Sequence, residues 1–268
     1  MRRWQVVIGS CFVLGFVTAA IAGPLVAPHD PYRVDLARAL APPSPQFLLG
    51  TDTLGRDIVS RLAWGARVAF VVSTVPVIVA LGIGLAAGVV AGYAGGLLDY
   101  GIMRILDVWL AFPTILLALG LAAALGPGLR TALIAMMVVN APPLIRLVRG
   151  LVLAAKEHAY VEAARSLGAS TPRVLVRHML VNIVSPVIVY TTLQTGRNVI
   201  LAASLSFLGL GIQPPAADWG VMLSEGRSVI ALAPAVATIP GLAIFLVTLG
   251  FNLVGDGMRD ILDPLMRS

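Results

Sequence analysis

Residues 68–98 read VAFVVSTVPVIVALGIGLAAGVVAGYAGGLL, without one charged side chain. A helix crossing about 30 Å of hydrocarbon needs roughly 20 predominantly apolar residues, and this run exceeds that length. The condition recurs along the chain. Val6 to Ala27, Val108 to Leu129 and Ser228 to Gly255 are uncharged throughout. Thr131 to Ile145 is shorter but reaches span length between Gly128 and Leu147. Met179 to Ala217 is interrupted only by Arg197. One span is expected there, near Ile183 to Leu205, because two cramped spans would leave the backbone of their turn without partners in lipid. The fold expected is all-α and polytopic, with six transmembrane helices.

Composition points the same way. Of 268 residues, 58% are hydrophobic and 12% charged, about half the roughly 25% charge of soluble domains. That is too little charge to wet a compact globule, which excludes a soluble enzyme or a disordered tail. The net charge of +6 comes without a basic stripe interleaved with aromatics, so it does not indicate nucleic acid. In a membrane protein such an excess marks cytoplasmic loops. Cys11, the single cysteine, excludes an internal disulfide.

Six spans put both termini on one side. Arg2 and Arg3 precede the first span, and Arg259 and Arg267 follow the last. The stretch Arg146 to Arg177 carries Arg146, Arg149, Lys156, Arg165, Arg173 and Arg177 against only Glu157 and Glu162. The segment His29 to Arg67 offsets its arginines with Asp30, Asp35, Asp52 and Asp57. Positive charge on the inner side therefore makes the 146–177 stretch and both termini cytoplasmic. Met1-Arg2-Arg3, an apolar run and Ala20-Ile21-Ala22 also fit a secretory signal peptide. Cleavage would spoil the even count, so a retained first helix is expected. Gly84, Gly88, Gly92 and Gly96 share one helical face, where small residues let another helix approach closely; packing is their expected role. Pro76, Pro113, Pro142, Pro143, Pro186, Pro234 and Pro240 lie in or at the ends of spans. Their kinks suit a bundle that rocks, and equally a rigid one.

Catalytic chemistry is hard to build here. A phosphate-binding loop needs Lys after Gly and before Ser or Thr, and the only lysine, Lys156, lies between Ala155 and Glu157. His29, His158 and His178 fall on separate segments, unlike the clustered ligands of a metal cage. The chain is expected to be non-catalytic and to bind no cofactor or metal itself. Energy for transport would come from a partner or from an ion gradient.

The informative hydrophilic stretch is KEHAYVEAARSLGASTPR, residues 156–173. It predicts helix, turn, helix. Gly168 suits a helix end because glycine tolerates the left-handed conformation. Thr171 can cap the next helix, with Pro172 in its first turn. Ala163 and Ala164 leave a smooth patch beside Glu162 and Arg165 that suits docking in a groove of another protein. A solvated amphipathic linker fits the same pattern.

Glu162-Ala163-Ala164, followed by Gly168, resembles the EAA loop of ABC importer permeases. Met179 and Leu180 match that motif further on, although Val181 stands where proline is usual. The rest of the chain is similar to dipeptide, oligopeptide and nickel permeases of the "C" type. The segments concerned are Leu49-Gly50-Thr51-Asp52-Thr53-Leu54-Gly55-Arg56-Asp57 and Gly65-Ala66-Arg67 before the second span. Asp99, Met103-Arg104, Asp107 and Ala111-Phe112-Pro113 match the start of the third. Leu205 to Gly211, Pro214-Pro215 and Trp219-Gly220 follow the fifth, and Gly255-Asp256-Gly257, Arg259-Asp260 and Leu262-Asp263-Pro264 close the chain.

The resemblance implies a type I ABC importer permease fold in a bacterial cytoplasmic (inner) membrane. It divides the chain into a first helix with an extracytoplasmic segment (1–65), a permease core (66–255) and a cytoplasmic tail (256–268). The EAA loop spans 156–180, and Glu162, Ala163, Ala164, Arg165 and Gly168 would couple it to an ATPase. The implied partners are a second homologous permease, two ATPase domains that bind ATP and Mg, an extracytoplasmic solute-binding protein and membrane lipid. The solute would be a di- or oligopeptide, or a related solute such as a nickel chelate or haem, moved by alternating access. The alternative is a secondary transporter, which would want coupling carboxylates inside its spans; apart from Asp107 near a span end there are almost none. In the resembled family an acidic residue commonly stands at Ala202, whereas Arg197 lies outside the usual pattern. Arg197 is the one charge within Met179 to Ala217 and would be costly facing lipid, and Gln194 and Asn198 lie nearby, so these three are the candidate translocation path. Arg197 would there meet a solute carboxylate or pair with an acid of the partner permease. A span boundary placed elsewhere would remove it from the membrane instead. The segment 29–64 would either dock the binding protein or simply connect two spans.

Overall fold

A computed structural model describes residues 3–262. Arg2, Arg267, Asp263 and Pro264 lie outside the described residues. In chain order the helices are α1 (Arg3–Val26), α2 (Ile58–Ala94), α3 (Gly96–Leu110), α4 (Thr114–Leu125) and α5 (Leu129–Lys156). Then come α6 (Ala159–Ser166), α7 (Thr171–Arg173), α8 (Leu180–Phe207), α9 (Trp219–Arg227) and α10 (Ala235–Leu262). A π-helical stretch, Val174–Met179, joins α7 to α8. Among the described residues there is no strand, only an isolated bridge between Thr51 and Asp57.

Five of these helices are long and apolar enough to cross a bilayer, α8 together with the helical stretch from Thr171. The sixth crossing exists only if α3 and α4 count as one span, and they meet at 84°. The continuous third helix expected over Val108–Leu129 is thus corrected. Pro113 has no N–H to donate and disfavours helical geometry at Phe112 before it. The chain leaves the helix there, with Pro113 at ψ 129°, and restarts at Thr114. The single span expected near Ile183–Leu205 is one helix, and Arg197 lies inside it rather than at a turn.

Glycine sets how α2 and α5 meet. A Cβ on Gly84 would fall 2.7 Å from Leu144 Cγ, and one on Gly88 2.7 Å from Val148 Cβ. One on Gly92 would lie 2.8 Å from Val152 Cγ1. The three repeat every fourth residue, so α5 lies along the stripe with its side chains against bare backbone. Gly96 is not part of it; it begins α3 at φ +60° with open space around it.

α1 is packed into the bundle. Gly9 faces Leu253 and Val254 of α10, Gly250 faces Phe12, and Gly23 faces Ala63 of α2. Phe16 is buried against Phe70, Trp219 and Phe251. Other expected boundaries shift. The division between residues 65 and 66 falls inside α2, which begins at Ile58. Arg146 and Arg149 are not loop residues but lie on α5, where they pair with Asp107 (2.6 Å) and Asp99 (2.6 and 2.7 Å) of α3. The last helix starts at Ala235 instead of Ser228, just after Pro234. Residues 256–262 of the expected tail continue α10.

The helix ends gather at two poles. Residues 27–57 and the segment 208–234, which contains α9, form one, joined by Arg56 and Glu225; the end of α2, α6 and α7 form the other, joined at Tyr93.

Candidate functional site

At the second pole, Val161 and Ala164 share one face of α6 because they are three residues apart. Both are buried, packed with Val148, Val152, Val174 and Met179. Glu162, Ala163 and Arg165 are exposed, and Leu167 is 89% exposed. The smooth Ala163–Ala164 patch is therefore corrected: Ala163 alone lies outward, and Ala164 belongs to the chain's own core. Gly168 stops the helix at φ +80°. Its N–H donates to the Arg165 carbonyl (2.9 Å), and that of Ala169 to the Ala164 carbonyl (3.0 Å), the paired bonds of a Schellman C-cap. Thr171 is not the cap of α7. Ser170 holds that position without a side-chain bond, and Pro172 sits in the first turn as expected.

Tyr93, one residue from the end of α2, ties this loop to the spans. Its hydroxyl donates to Thr171 Oγ1 (3.4 Å), and its carbonyl accepts from Lys156 Nζ (3.0 Å). Lys156 Nζ and the Arg165 guanidinium lie 5.7 and 5.3 Å from its ring centroid, within reach of the negative face of the ring. The end of α5, α6 and α7 thus converge on one side chain. Sequence reading missed it, because a tyrosine at the end of an apolar run has the look of a membrane-interface aromatic.

Halfway along the bundle, Gln194 Nε2 donates to Asn140 Oδ1 (2.5 Å) and Asn140 Nδ2 to Asn198 Oδ1 (3.2 Å). Asn198 Nδ2 donates to the Ser73 carbonyl of α2 (3.2 Å), and Asn198 is wholly buried. These amides lock α2, α5 and α8 at one level; hydrogen bonds between membrane helices contribute about 0.6 kcal/mol on average. The three candidate path residues do not share one environment. Gln194 and Asn198 turn to Asn140, whereas Arg197 is exposed. Asn140, the hub, was legible only as a lone amide in an apolar run.

The first pole is held by buried charge. Arg56 Nε meets Asp52 Oδ2 at 2.6 Å, and its Nη2 meets Glu225 Oε2 of α9 at 2.6 Å. Arg61 approaches the same two carboxylates at 3.3 and 3.4 Å and donates to the carbonyls of Pro31, Pro215 and Ala216. Both arginines are almost completely buried. Asp57 caps α2 through Ser60 N (3.0 Å), and His29 Nδ1 lies 3.3 Å from it. Asp218 caps α9 through Val221 N (3.0 Å), while burial pushes its carboxyl above the usual range. Of the 29–64 segment, residues 29–57 connect α1 to α2 and are tied to α2 and α9 by their ions, while 58–64 belong to α2 itself.

A multi-span helical bundle with an exposed helix–turn–helix at one pole and an ion-locked cap at the other defines a membrane transport permease once its relatives are considered. The chain belongs to the family of binding-protein-dependent transport system inner membrane components, which matches residues 84–268. Residues 1–43 match the N-terminal transmembrane domain of oligopeptide transport permease C. A glutathione transport system permease protein from Pectobacterium atrosepticum is 44% identical over 100% of this chain and 89% of its own. A dipeptide transport system permease protein from Alkalihalophilus pseudofirmus is 43% identical over 98% and 86%. A third, a glutathione transport system permease protein from Escherichia coli, is 44% identical over 99% and 88%. These matches set the chain among ABC importer permeases and against the gradient-driven alternative.

Proposed function

We propose that this chain is the permease subunit of a peptide importer whose motion is driven by ATPase subunits docked on the 156–180 loop. The observation that carries the reading is the outward face of α6. Glu162, Ala163 and Arg165 project from a helix whose other face is fixed in the core, and Leu167, just past its end, is nearly bare. An exposed large apolar residue beside charges at the tip of a rigid turn suits insertion into a groove of another protein. Tyr93 and the continuous backbone from α7 into α8 supply a route by which a push on this loop reaches the spans.

In this reading the 156–180 pole and both termini are cytoplasmic, and the Arg56–Glu225 pole faces the extracytoplasmic binding protein. A second homologous permease completes the path. ATP and Mg reside in the two ATPase domains, and this chain catalyses no reaction. Closure of the ATPases opens the path outward, and hydrolysis returns it inward. Glutathione and dipeptides, named for the relatives, support short peptides as the solute class.

The test is reconstitution in liposomes with the partner permease, ATPases and binding protein. Peptide-loaded binding protein should stimulate ATP hydrolysis and peptide uptake together. Uptake that proceeds without ATP and follows an imposed proton or sodium gradient would overturn the reading.

A further inference from the structure

Arg197 lies ten residues before the end of α8. Gly196 beside it accepts from Thr248 Oγ1 (3.4 Å), and Thr248 stands at the middle of α10. The backbone at Arg197 is thus at mid-bundle depth. Among the described residues its guanidinium makes no hydrogen bond and no ion pair, and the residue is exposed on the surface of the chain. Lipid is a poor neighbour: an arginine facing the bilayer centre costs at least about 2.5–3.5 kcal/mol. Water, a solute or another protein must therefore meet it.

Its surroundings favour water. Arg197, Ile200 and Ser204 repeat at steps of three and four and so form one stripe on the open side of α8, whereas Tyr190, Gln194 and Leu201 beside them pack on the chain's own core. Two of these three side chains are polar, and Ser204 keeps an exposed hydroxyl that is satisfied by its own helix (Ile200 carbonyl, 2.8 Å). Leu193 on one flank fits against Gly255 of α10, and Gln194 on the other bonds Asn140 of α5. The stripe therefore opens between two fixed helices, which hold it in place. The intramembrane runs of α5, α8 and α10 contain no acid.

We infer that this stripe of α8 lines the solute path and that Arg197 is a specificity residue, attracting the carboxylate of a passing peptide. This deepens the importer reading and rests on it. A planar, permanently charged guanidinium with several donors fits a carboxylate bidentately, which ammonium cannot do.

Two measurements test it separately. In the complete transporter with Cys11 replaced, Arg197→Cys should react with a hydrophilic, membrane-impermeant thiosulfonate, and an anionic and a neutral reagent distinguish water from field. Failure of both reagents to react, in a complex whose binding-protein-stimulated ATPase persists, places the position in lipid or in a sealed interface and overturns the inference. The second measurement compares uptake of a tripeptide with that of its C-terminal amide. The parent should favour the free acid, and Arg197→Gln should lower that preference about tenfold, the size of one charged hydrogen bond. Arg197→Lys should recover part of it. An unchanged preference in an assembled Arg197→Gln complex overturns the role, as does loss of assembly that is rescued by removing an acid of the partner permease. If the parent takes up no peptide while position 197 reacts with the reagents, the peptide reading fails and the water-lined stripe stands.

Discussion

Gly168 and Arg56 show two ways in which one residue governs this fold. At Gly168 the demand is conformational alone, since a Cβ there would meet no atom within 4 Å. Its φ of +80° costs a β-branched residue about 1–2 kcal/mol. Gly168→Val should therefore leave an assembled permease whose loop is misplaced, with peptide-stimulated ATPase reduced severalfold. Gly168→Asn, which accepts the left-handed region more readily, should keep most of it. Equal activity of the two variants would remove the turn from the coupling route. Arg56 acts by charge. It is 1% exposed between Asp52 and Glu225, and removing one partner of a buried pair strands the other, at roughly 3–5 kcal/mol. Arg38 pairs with Asp35 in the open, both side chains more than 40% exposed, where a pair contributes about 0–1 kcal/mol. Arg56→Gln should lower the thermal unfolding midpoint of the purified permease markedly and Arg38→Gln hardly at all. Comparable shifts would mean that the Arg56 site is hydrated.

Helices α2 and α5 behave as one unit because bare glycine backbone lies under Leu144, Val148 and Val152. A side chain at Gly88 would strike Val148 Cβ at 2.7 Å and the Ile145 carbonyl at 2.8 Å, and the carbonyl belongs to a helix that cannot yield locally. Gly88→Leu should push the pair apart, costing about 1–3 kcal/mol as overpacking does, and appear as a lower unfolding midpoint in detergent. Gly82→Ala, with nothing within 4 Å, should be neutral or slightly stabilising through helix propensity. This seam was visible in the sequence, because a four-residue glycine period has one geometric meaning on a helix. The break between α3 and α4 was not. Pro113 lies inside an uncharged run just as Pro76, Pro142, Pro186 and Pro240 do, yet those four remain within continuous helices. Which proline bends a span depends on the neighbours that hold the chain on either side, and no local sequence records them.

Apolar length made five of the spans legible, since it reflects the thickness of the bilayer itself, while the sixth rests on counting α3 and α4 as one. The ion lock was less so. Arg56 and Glu225 are joined across much of the chain, and charge in a hydrophilic segment gives no sign that folding will bury it. What the lock implies for the whole molecule is orientation. Residues 27–57 and α9 form one pole, while Tyr93, Lys156 and Thr171 meet at the other end of α2, so the proposed topology puts the two poles on opposite sides of the membrane. Gln46 is exposed at the first pole and Ser166 at the second. With Cys11 replaced, Gln46→Cys should react in intact cells with a membrane-impermeant thiol reagent, and Ser166→Cys only after the membrane is opened. Docked ATPase should then slow the reaction at Ser166→Cys without changing that at Gln46→Cys, because only the second pole carries the exposed turn of Ala163 and Leu167. Reaction of both positions in sealed cells would put the two poles on one side, which the six-crossing path through α3 and α4 cannot accommodate. Reaction in the reverse order would instead keep the bundle and invert it, removing the cytoplasmic partner from the 156–180 loop.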